Sequence, residues 1–326
     1  MSNAELLNSM QPDGWRDEDW QALLLAVEFK DCTPFLGAGA CAGVLPLGGE
    51  VARALAREFN YPFPDDYNLV RVAQYVAVQS SPKMPKYRIA QMFRGKGPPD
   101  FNNPSEPHAV VADLRLPVYV TTNYDDFMTQ ALLRRVRPEK LSRLVCNWYA
   151  AHSRRPPAPP EDPDPTEDAP LVFHLHGTLD NLESMVLTED DYLDFLMYIS
   201  EEQRLIPPRV ERAFASSSLL FMGYSLEDMN FKVLFRKLAG YMQRNEGTRH
   251  VSVQLAPRVP GAGGTGEGDG PPLSEEEAAR LVERAQRQRA YLEKHFGIQR
   301  VKVYWGTCED FACDLRRRWE AQQSGR

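Results

Sequence analysis

Short apolar runs alternate along the chain with longer segments whose apolar residues recur at helical spacing. The apolar runs predict strands at residues 33–36, 116–122, 171–177, 219–225, 250–255 and 301–305. Helical patterns separate most of these runs, an order typical of a mostly parallel sheet with helices on its faces. The pattern therefore predicts an α/β fold.

The helical segments divide the chain further. Residues 17–29 predict an amphipathic helix, residues 50–112 predict a helical insertion between the first two strands, and residues 308–322 predict a final helix. Two connectors have too few apolar residues to pack, one at about 153–170 and one at about 258–272. We expect both connectors to be mobile loops.

Composition excludes several classes of protein. The 326 residues carry a net charge of −7, the wrong sign for bulk electrostatic binding to nucleic acid, and no apolar run is long enough to span a bilayer. The N-terminal segment lacks the basic and apolar regions of a signal peptide. The five cysteines include no C-x-x-C pair, which disfavours a disulfide framework or a zinc ribbon. We expect a cytoplasmic protein with reduced thiols that binds neither membrane nor nucleic acid directly.

Candidate chemistry lies where the predicted strands end. Because the carboxyl ends of parallel strands meet at one edge of a sheet, polar and glycine residues there point to a ligand site. Four strand ends carry such residues: Gly37-Ala38-Gly39, Thr122-Asn123-Tyr124-Asp125, His176-Gly177 and Gly223-Tyr224-Ser225.

The first of these ends is a glycine turn. Gly37 and Gly39 lack the side chains that would keep a pyrophosphate away from backbone N–H groups. A connector with proline and glycine separates the turn from the next helix, unlike the tight G-x-G-x-x-G fingerprint of an ordinary dehydrogenase. Taken alone, the turn is either a phosphate site or simply a tight bend.

The four strand ends together, with Leu226-Glu227-Asp228 after the last, resemble the sirtuin fold. They resemble in particular the SIR2-like domains of bacterial anti-phage defence proteins. The resemblance runs from about residue 30 to 320 and implies a Rossmann-like α/β domain at 30–322, preceded by an N-terminal helical segment at 1–29. It implies NAD as the ligand.

The resemblance also implies how NAD is held. The pyrophosphate would bind the glycine turn, and the adenosine half would lie near the later glycine motif. The residues so assigned are Gly37, Ala38, Gly39, Ala40, Cys41, Thr122, Gly223, Ser225 and Asp228. The family often has serine where this chain has Cys41, so a hydroxyl contact to phosphate is missing, and Cys41 is otherwise a small packing residue. Ser225 is alternatively a helix N-cap.

Three residues match the catalytic positions of the family. The resemblance implies that Asn123 positions water or ribose, that Asp125 contacts nicotinamide, and that His176 is the general base, a task that suits imidazole. The alternative for Asn123 and Asp125 is to cap the helix that begins near residue 127. His174 would share the face of His176 on a strand, but with no third ligand at telling spacing we expect no metal.

The expected reaction depends on whether the chain has the zinc-binding module of protein-deacylating sirtuins. Protein-deacylating sirtuins carry four zinc-binding cysteines after the His-Gly motif, and this chain has no cysteine between Cys146 and Cys308. The resemblance therefore implies an NAD+ hydrolase, the effector of an abortive-infection defence system. Such an enzyme must be gated by homo-oligomer assembly or by a separate partner, such as a helicase-like ATPase or an Argonaute-type protein. The alternatives are a catalytically quiet NAD or ADP-ribose-binding module and a zinc-free protein deacylase.

Overall fold

Seven strands form a single sheet in the computed structural model, which describes residues 15–149, 163–201, 205–224, 250–255, 275–297 and 301–325. The strands are β1 (Cys32–Leu36), β2 (Val118–Thr121), β3 (Ser142–Val145), β4 (Leu171–His174), β5 (Ser218–Met222), β6 (His250–Gln254) and β7 (Val301–Trp305). Their order is β3-β4-β2-β1-β5-β6-β7, and every neighbouring pair is parallel. The predicted α/β class is confirmed.

Helices cover the sheet because a parallel sheet buries both of its faces. The α-helices of the described ranges are α1 (Asp17–Glu28), α2 (Gly48–Glu58), α3 (Leu69–Gln79), α4 (Met84–Phe93), α5 (Pro107–Asp113), α6 (Phe127–Leu133), α7 (Glu189–Glu201), α8 (Pro208–Ser216), α9 (Glu275–Gly297) and α10 (Cys308–Ser324). Successive residues of β1 serve opposite faces: Phe35 lies in one core cluster and Leu36 in the other. None of the helices in these ranges is both long and apolar enough to cross a membrane.

The helical segment predicted at 50–112 contains two different parts. Helices α2, α3 and α4 share a core of their own, formed by residues such as Leu55, Val76 and Ile89. Helix α5 instead supplies Val110 and Val111 to the core on one face of the sheet. The main sheet therefore carries a small helical lobe between β1 and α5.

Strand β3 was missed by the sequence pattern. It is a four-residue strand at the edge of the sheet, and its residues are exposed or half-buried. A strand of this kind lacks the continuous apolar run that marks a buried strand. The predicted loop at 258–272 and most of the loop at 153–170 lie outside the described residues, as do Ser225 and Asp228.

Gly177, just after β4, has a backbone conformation that favours glycine. Its φ of +89° lies in the left-handed region, and a Cβ placed there would lie 2.1 Å from the carbonyl oxygen of Ser184. Gly43 has a similar φ of +84° but faces open space. The two glycines therefore share a backbone requirement, and only Gly177 has a packing requirement as well.

We expect Gly177→Ala to lower the free energy of unfolding by about 3 kcal/mol or more, because both the backbone strain and the collision with Ser184 must be relieved. Gly43→Ala is the matched control and carries the strain alone, about 1–2 kcal/mol. Urea denaturation of the two variants measures the difference. Equal losses of stability would contradict the packing role of Gly177.

Candidate functional site

The glycine turn lies where the strand order reverses. Strand β1 is flanked by β2 on one side and β5 on the other, and the crevice at such a switch point is the usual ligand site of an open α/β sheet. Gly37 N donates to Met222 O at 2.8 Å, and Gly39 N donates to Gly223 O at 3.0 Å. The turn after β1 is thus bonded directly to the end of β5.

This contact requires glycine on both sides. A Cβ on Gly39 would lie 2.8 Å from the Cα of Gly223, and a Cβ on Gly223 would lie 2.4 Å from Ala40 N. Gly223 also has a φ of +81°. The glycines predicted from the two separate motifs therefore pack against each other, and a side chain on either would push the two strand ends apart.

The predicted phosphate-binding turn is a short 3-10 helix, Ala38–Cys41. The backbone N–H groups of Gly37, Gly39 and Ala40 already have protein partners, since Ala40 N also donates to Gly37 O at 2.9 Å. In this conformation those N–H groups donate to backbone carbonyl oxygens of the protein and are not free to bind a ligand. A pyrophosphate on the turn would therefore bind N–H groups other than these three or displace these bonds.

Asn123 connects the end of β2 to the glycine turn. Its backbone N–H donates to Thr121 Oγ1 at 3.0 Å, while its side-chain Nδ2 donates to Gly37 O at 3.1 Å and to Cys41 Sγ at 3.2 Å. Both amide hydrogens are used in these two bonds. The carbonyl oxygen Oδ1 is consequently the atom with which Asn123 would pair with a ligand.

Asp125 and Cys41 form a buried pair. The Cys41 thiol donates to Asp125 Oδ2 at 3.3 Å, and Phe127 N donates to Asp125 Oδ1 at 3.0 Å. The helix-cap alternative thus applies to Asp125, but the Asn123 amide bonds to the turn. Burial and, after it, the negative charge of Asp125 raise the pKa of the Cys41 thiol well above its usual value. The thiol is therefore a donor at neutral pH.

Thr122 connects the end of β1 to Tyr224, the residue after Gly223. Thr122 N donates to Leu36 O at 3.0 Å, and its hydroxyl bonds to the hydroxyl of Tyr224. The Tyr224 hydroxyl also lies 3.2 Å from Leu36 O, and its ring lies over Gly37. The assigned residues Thr122 and Gly223 therefore share one corner of the site.

His176 occupies a separate part of the same edge. Strand β4 ends at His174, so the alternation of a strand does not extend to His176, which lies in the following turn. The His176 ring makes edge contacts with Tyr192 and Phe195 of α7, with centroids 5.5 and 5.0 Å away. Burial lowers the pKa of His176 to about 3, so the ring is neutral at pH 7.

His174 has different neighbours. The Arg143 Nε donates to His174 Nε2 at 3.3 Å. Burial, followed by the charge of Arg143, lowers the pKa of His174 to about 4. The two histidines therefore do not form the pair on one face that the sequence suggested.

Tyr124 connects the Asn123 and His176 segments. Its backbone oxygen accepts from Leu179 N at 2.9 Å, and its hydroxyl donates to Val186 O at 2.6 Å. Val186 N in turn donates to His176 O at 3.0 Å. A single tyrosine thereby fixes the β2 end against the turn that carries His176.

Two residues at the site were missed by the sequence reasoning. His108 Nδ1 lies 2.7 Å from Glu106 Oε1, and its Nε2 lies 3.9 Å from Cys41 Sγ. Both residues are at the start of α5, and Glu106 Oε2 also accepts from Ala109 N at 2.6 Å. Sequence spacing carries no signal for this contact, because His108 and Cys41 are 67 positions apart.

Comparison with known proteins identifies a family and several relatives. The family described as SIR2-like domain matches residues 117–281. Proteins named NAD(+) hydrolase ThsA are similar to this chain: the one from Cytobacillus dafuensis is 23% identical over 229 residues, and the one from Bacillus cereus is 22% identical over 230 residues. A solved structure from work on the mechanism and regulation of Sir2 enzymes covers 85% of this chain and all of that chain, at 16% identity and a TM-score of 0.37.

The relatives are much longer than this chain. The matched regions cover 70% and 69% of this chain but only 42% and 44% of the Cytobacillus dafuensis and Bacillus cereus proteins. The NAD(+) hydrolase ThsA of Enterococcus faecium is 22% identical over 142 residues, which cover 44% of this chain and 26% of that protein. The chain thus matches less than half the length of each of these relatives.

The lowered pKa of His176 predicts acid sensitivity. Since the unfolded side chain has a pKa near 6.5, the unfolded state binds more protons than the folded state below that pH. The stability that comes from neutral His176 is therefore complete above about pH 6.5 and is lost as the pH falls. We expect burial of this histidine to lower the free energy of unfolding by about 2 kcal/mol at pH 5 relative to neutral pH.

Urea denaturation of wild type and His176→Asn at pH 7.5 and 5.0 checks this expectation, because asparagine does not titrate. The wild type is expected to lose about 2 kcal/mol more than the variant between the two pH values. A variant that loses as much stability as the wild type would show that His176 is not held neutral by burial.

Proposed function

The chain belongs to the SIR2-like domain family, and we propose that it is an NAD+ hydrolase that cleaves the bond between nicotinamide and ribose. The products are nicotinamide, ADP-ribose and a proton, with water as the other reactant. The observation that carries the proposal is the buried cluster at the β1/β2 edge, where Asn123 and Asp125 lie against the glycine turn. The names of the similar proteins from three bacteria support it.

The cluster suits this reaction chemically. Breaking the N-glycosidic bond develops positive charge on the anomeric carbon, and nearby oxygen acceptors stabilise that charge. Asn123 Oδ1 is available to orient water or ribose, since the Nδ2 group is held by Gly37 O and Cys41 Sγ. Asp125 supplies a carboxylate for nicotinamide or the developing cation. The glycine turn would bind the pyrophosphate, and Ser225 and Asp228, outside the described residues, would lie near the adenosine half.

The site is closed in this structure, which supports a regulated activity. Asn123, Asp125 and His176 are each only 8% exposed, and N–H groups of the glycine turn bind neighbouring carbonyls. His176 with a pKa near 3 is a weak general base at pH 7, since efficient bases have a pKa near the working pH. We propose that assembly or a separate partner opens the site, admits NAD and raises the pKa of His176 toward its ordinary value.

Gating also fits the biological role that we propose. Unregulated hydrolysis of NAD would harm the cell that makes the enzyme, so the activity must be held off until a trigger arrives. We propose that the protein acts in the cytoplasm as an abortive-infection effector against phage. Its activator would be a homo-oligomer of the chain or a separately encoded defence protein, such as a helicase-like ATPase or an Argonaute-type partner.

Nicotinamide release from NAD tests the proposed reaction. We expect release by the wild type at high protein concentration, under crowding, or with an activating partner. Asn123→Ala and His176→Ala are expected to reduce the rate about 100-fold or more. His295→Ala, on the exposed face of α9, is the control that keeps the wild-type rate.

Variants of Asn123 and His176 that release nicotinamide as fast as wild type would show that the site is wrong. Binding of NAD without release by any assembly of the wild type would instead favour the catalytically quiet binding module. Acyl transfer from a peptide without net NAD hydrolysis would favour the deacylase.

The neighbouring carboxylate Asp126 is a matched control for testing the role of Asp125. Asp125 is buried and bonds to Cys41, whereas Asp126 is partly exposed and bonds to Gln130. We expect Asp125→Asn to lower kcat at least 10-fold, since it removes a charge beside the reacting carbon, and Asp126→Asn to change kcat less than about 3-fold. Equal effects of the two substitutions on initial rates would remove Asp125 from the proposed mechanism.

A further inference from the structure

Three side chains with metal-binding atoms converge beneath the glycine turn. They are Cys41 at the end of the 3-10 helix, His108 in the first turn of α5 and Asp125 after β2. Their exposed fractions are 3%, 1% and 8%. Thiol, imidazole and carboxylate groups from three separate segments thus meet away from water, and each has a hydrogen-bond partner there.

The separations of the three atoms fit one small cation. Sγ of Cys41 lies 3.3 Å from Asp125 Oδ2 and 3.9 Å from His108 Nε2, and all three atoms lie within 4.8 Å of one another. Ligand atoms around a tetrahedral zinc ion are roughly 3.3–3.6 Å apart, given its usual bond lengths to sulfur, nitrogen and oxygen. Side-chain shifts of about 1 Å or less would therefore close the site around zinc.

The histidine is already oriented for metal binding. Because a carboxylate oxygen accepts, His108 Nδ1–H donates to Glu106 Oε1 at 2.7 Å, and in a neutral imidazole this leaves the Nε2 lone pair on the side of Cys41. The other oxygen, Oε2, is held by Ala109 N at 2.6 Å, which fixes the carboxylate itself. A carboxylate behind a ligating histidine is the usual second layer of a zinc site.

We infer that Cys41, His108 and Asp125 bind one zinc ion, with Glu106 as the outer carboxylate that orients His108. Thiolate and imidazole ligands select zinc over magnesium or calcium, which prefer oxygen ligands alone. Binding replaces the S–H bond of Cys41 with an S–Zn bond and releases the proton to solvent. The ion would offset the negative charge that Asp125 and Glu106 bring into a buried region.

This site differs from the expectation of no metal, which was based on the cysteine spacing and on the pair His174 and His176. It shares Cys41 and Asp125 with the proposed NAD site, but it is tested separately from the hydrolase because zinc titration reads metal binding directly. The two proposals can therefore fail independently: a protein without NAD hydrolysis can still bind zinc, and an active hydrolase can lack the ion.

Zinc titration of the full chain after chelator treatment tests the inference. Calorimetry is expected to find one tight site per chain in wild type, and Cys41→Ser and His108→Gln are expected to weaken it at least 10-fold. Glu106→Gln should weaken it about 10–100-fold, as outer partners of zinc ligands usually do. Cys146→Ser and Cys313→Ser are controls, one for a buried thiol elsewhere and one for an exposed thiol, and both should bind zinc like wild type.

Cobalt substitution gives a second readout that needs no folded variant. Cobalt bound to wild type is expected to show a thiolate-to-metal charge-transfer band, and X-ray absorption should find one sulfur among nitrogen and oxygen ligands. The inference is overturned if wild type has no tight zinc site, if its cobalt form lacks sulfur ligation, or if a folded Cys41→Ser variant binds zinc as tightly as wild type.

Discussion

The close approach of the glycine turn to Gly223 is the constraint on which the site depends. Without side chains on Gly39 and Gly223, the ends of β1 and β5 come near enough for Gly39 N to bond Gly223 O. This contact sets the start of the 3-10 helix, and that helix sets the position of Cys41. Cys41 then meets Asn123 and Asp125, which follow the neighbouring strand β2. A displacement at the glycine contact would therefore be transmitted to every polar group of the cluster.

The polar groups of this cluster can be buried because they form hydrogen bonds with one another. A buried carboxylate or amide without partners costs several kcal/mol, whereas a paired one costs little. Asp125 has two donors, and the Asn123 amide has two acceptors. Because Asn123 and Asp125 are each only 8% exposed, their exposure must rise before a ligand can reach them. The stability of the closed state and the access of a ligand to these groups are thus opposed, as the proposed gating requires.

Much of the fold and part of the site could be predicted because their signals are local. An apolar run followed by glycine or a polar residue marks a buried strand and its carboxyl end, so Gly37, Asn123 and Gly223 were placed at one edge from the sequence alone. Edge strand β3 could not be found, since its half-exposed residues form no apolar run. The neighbours of His174 and His176 were also hidden, because Arg143, Tyr192 and Phe195 reach them through tertiary packing.

The contact of His108 with Cys41 shows why the remainder of the site needs a structure. The histidine follows the proline that opens α5, and by itself it is typical of a buried structural residue. Its chemistry depends on Cys41, at a position where the family that the chain resembles often has serine. A hydroxyl at that position can likewise accept from the Asn123 amide and donate to Asp125, but it is a poor ligand for a soft cation. Exchange of one atom, oxygen for sulfur, therefore separates the two proposals physically: the bonds that hold Asn123 need only a polar group at residue 41, whereas zinc binding needs the thiol.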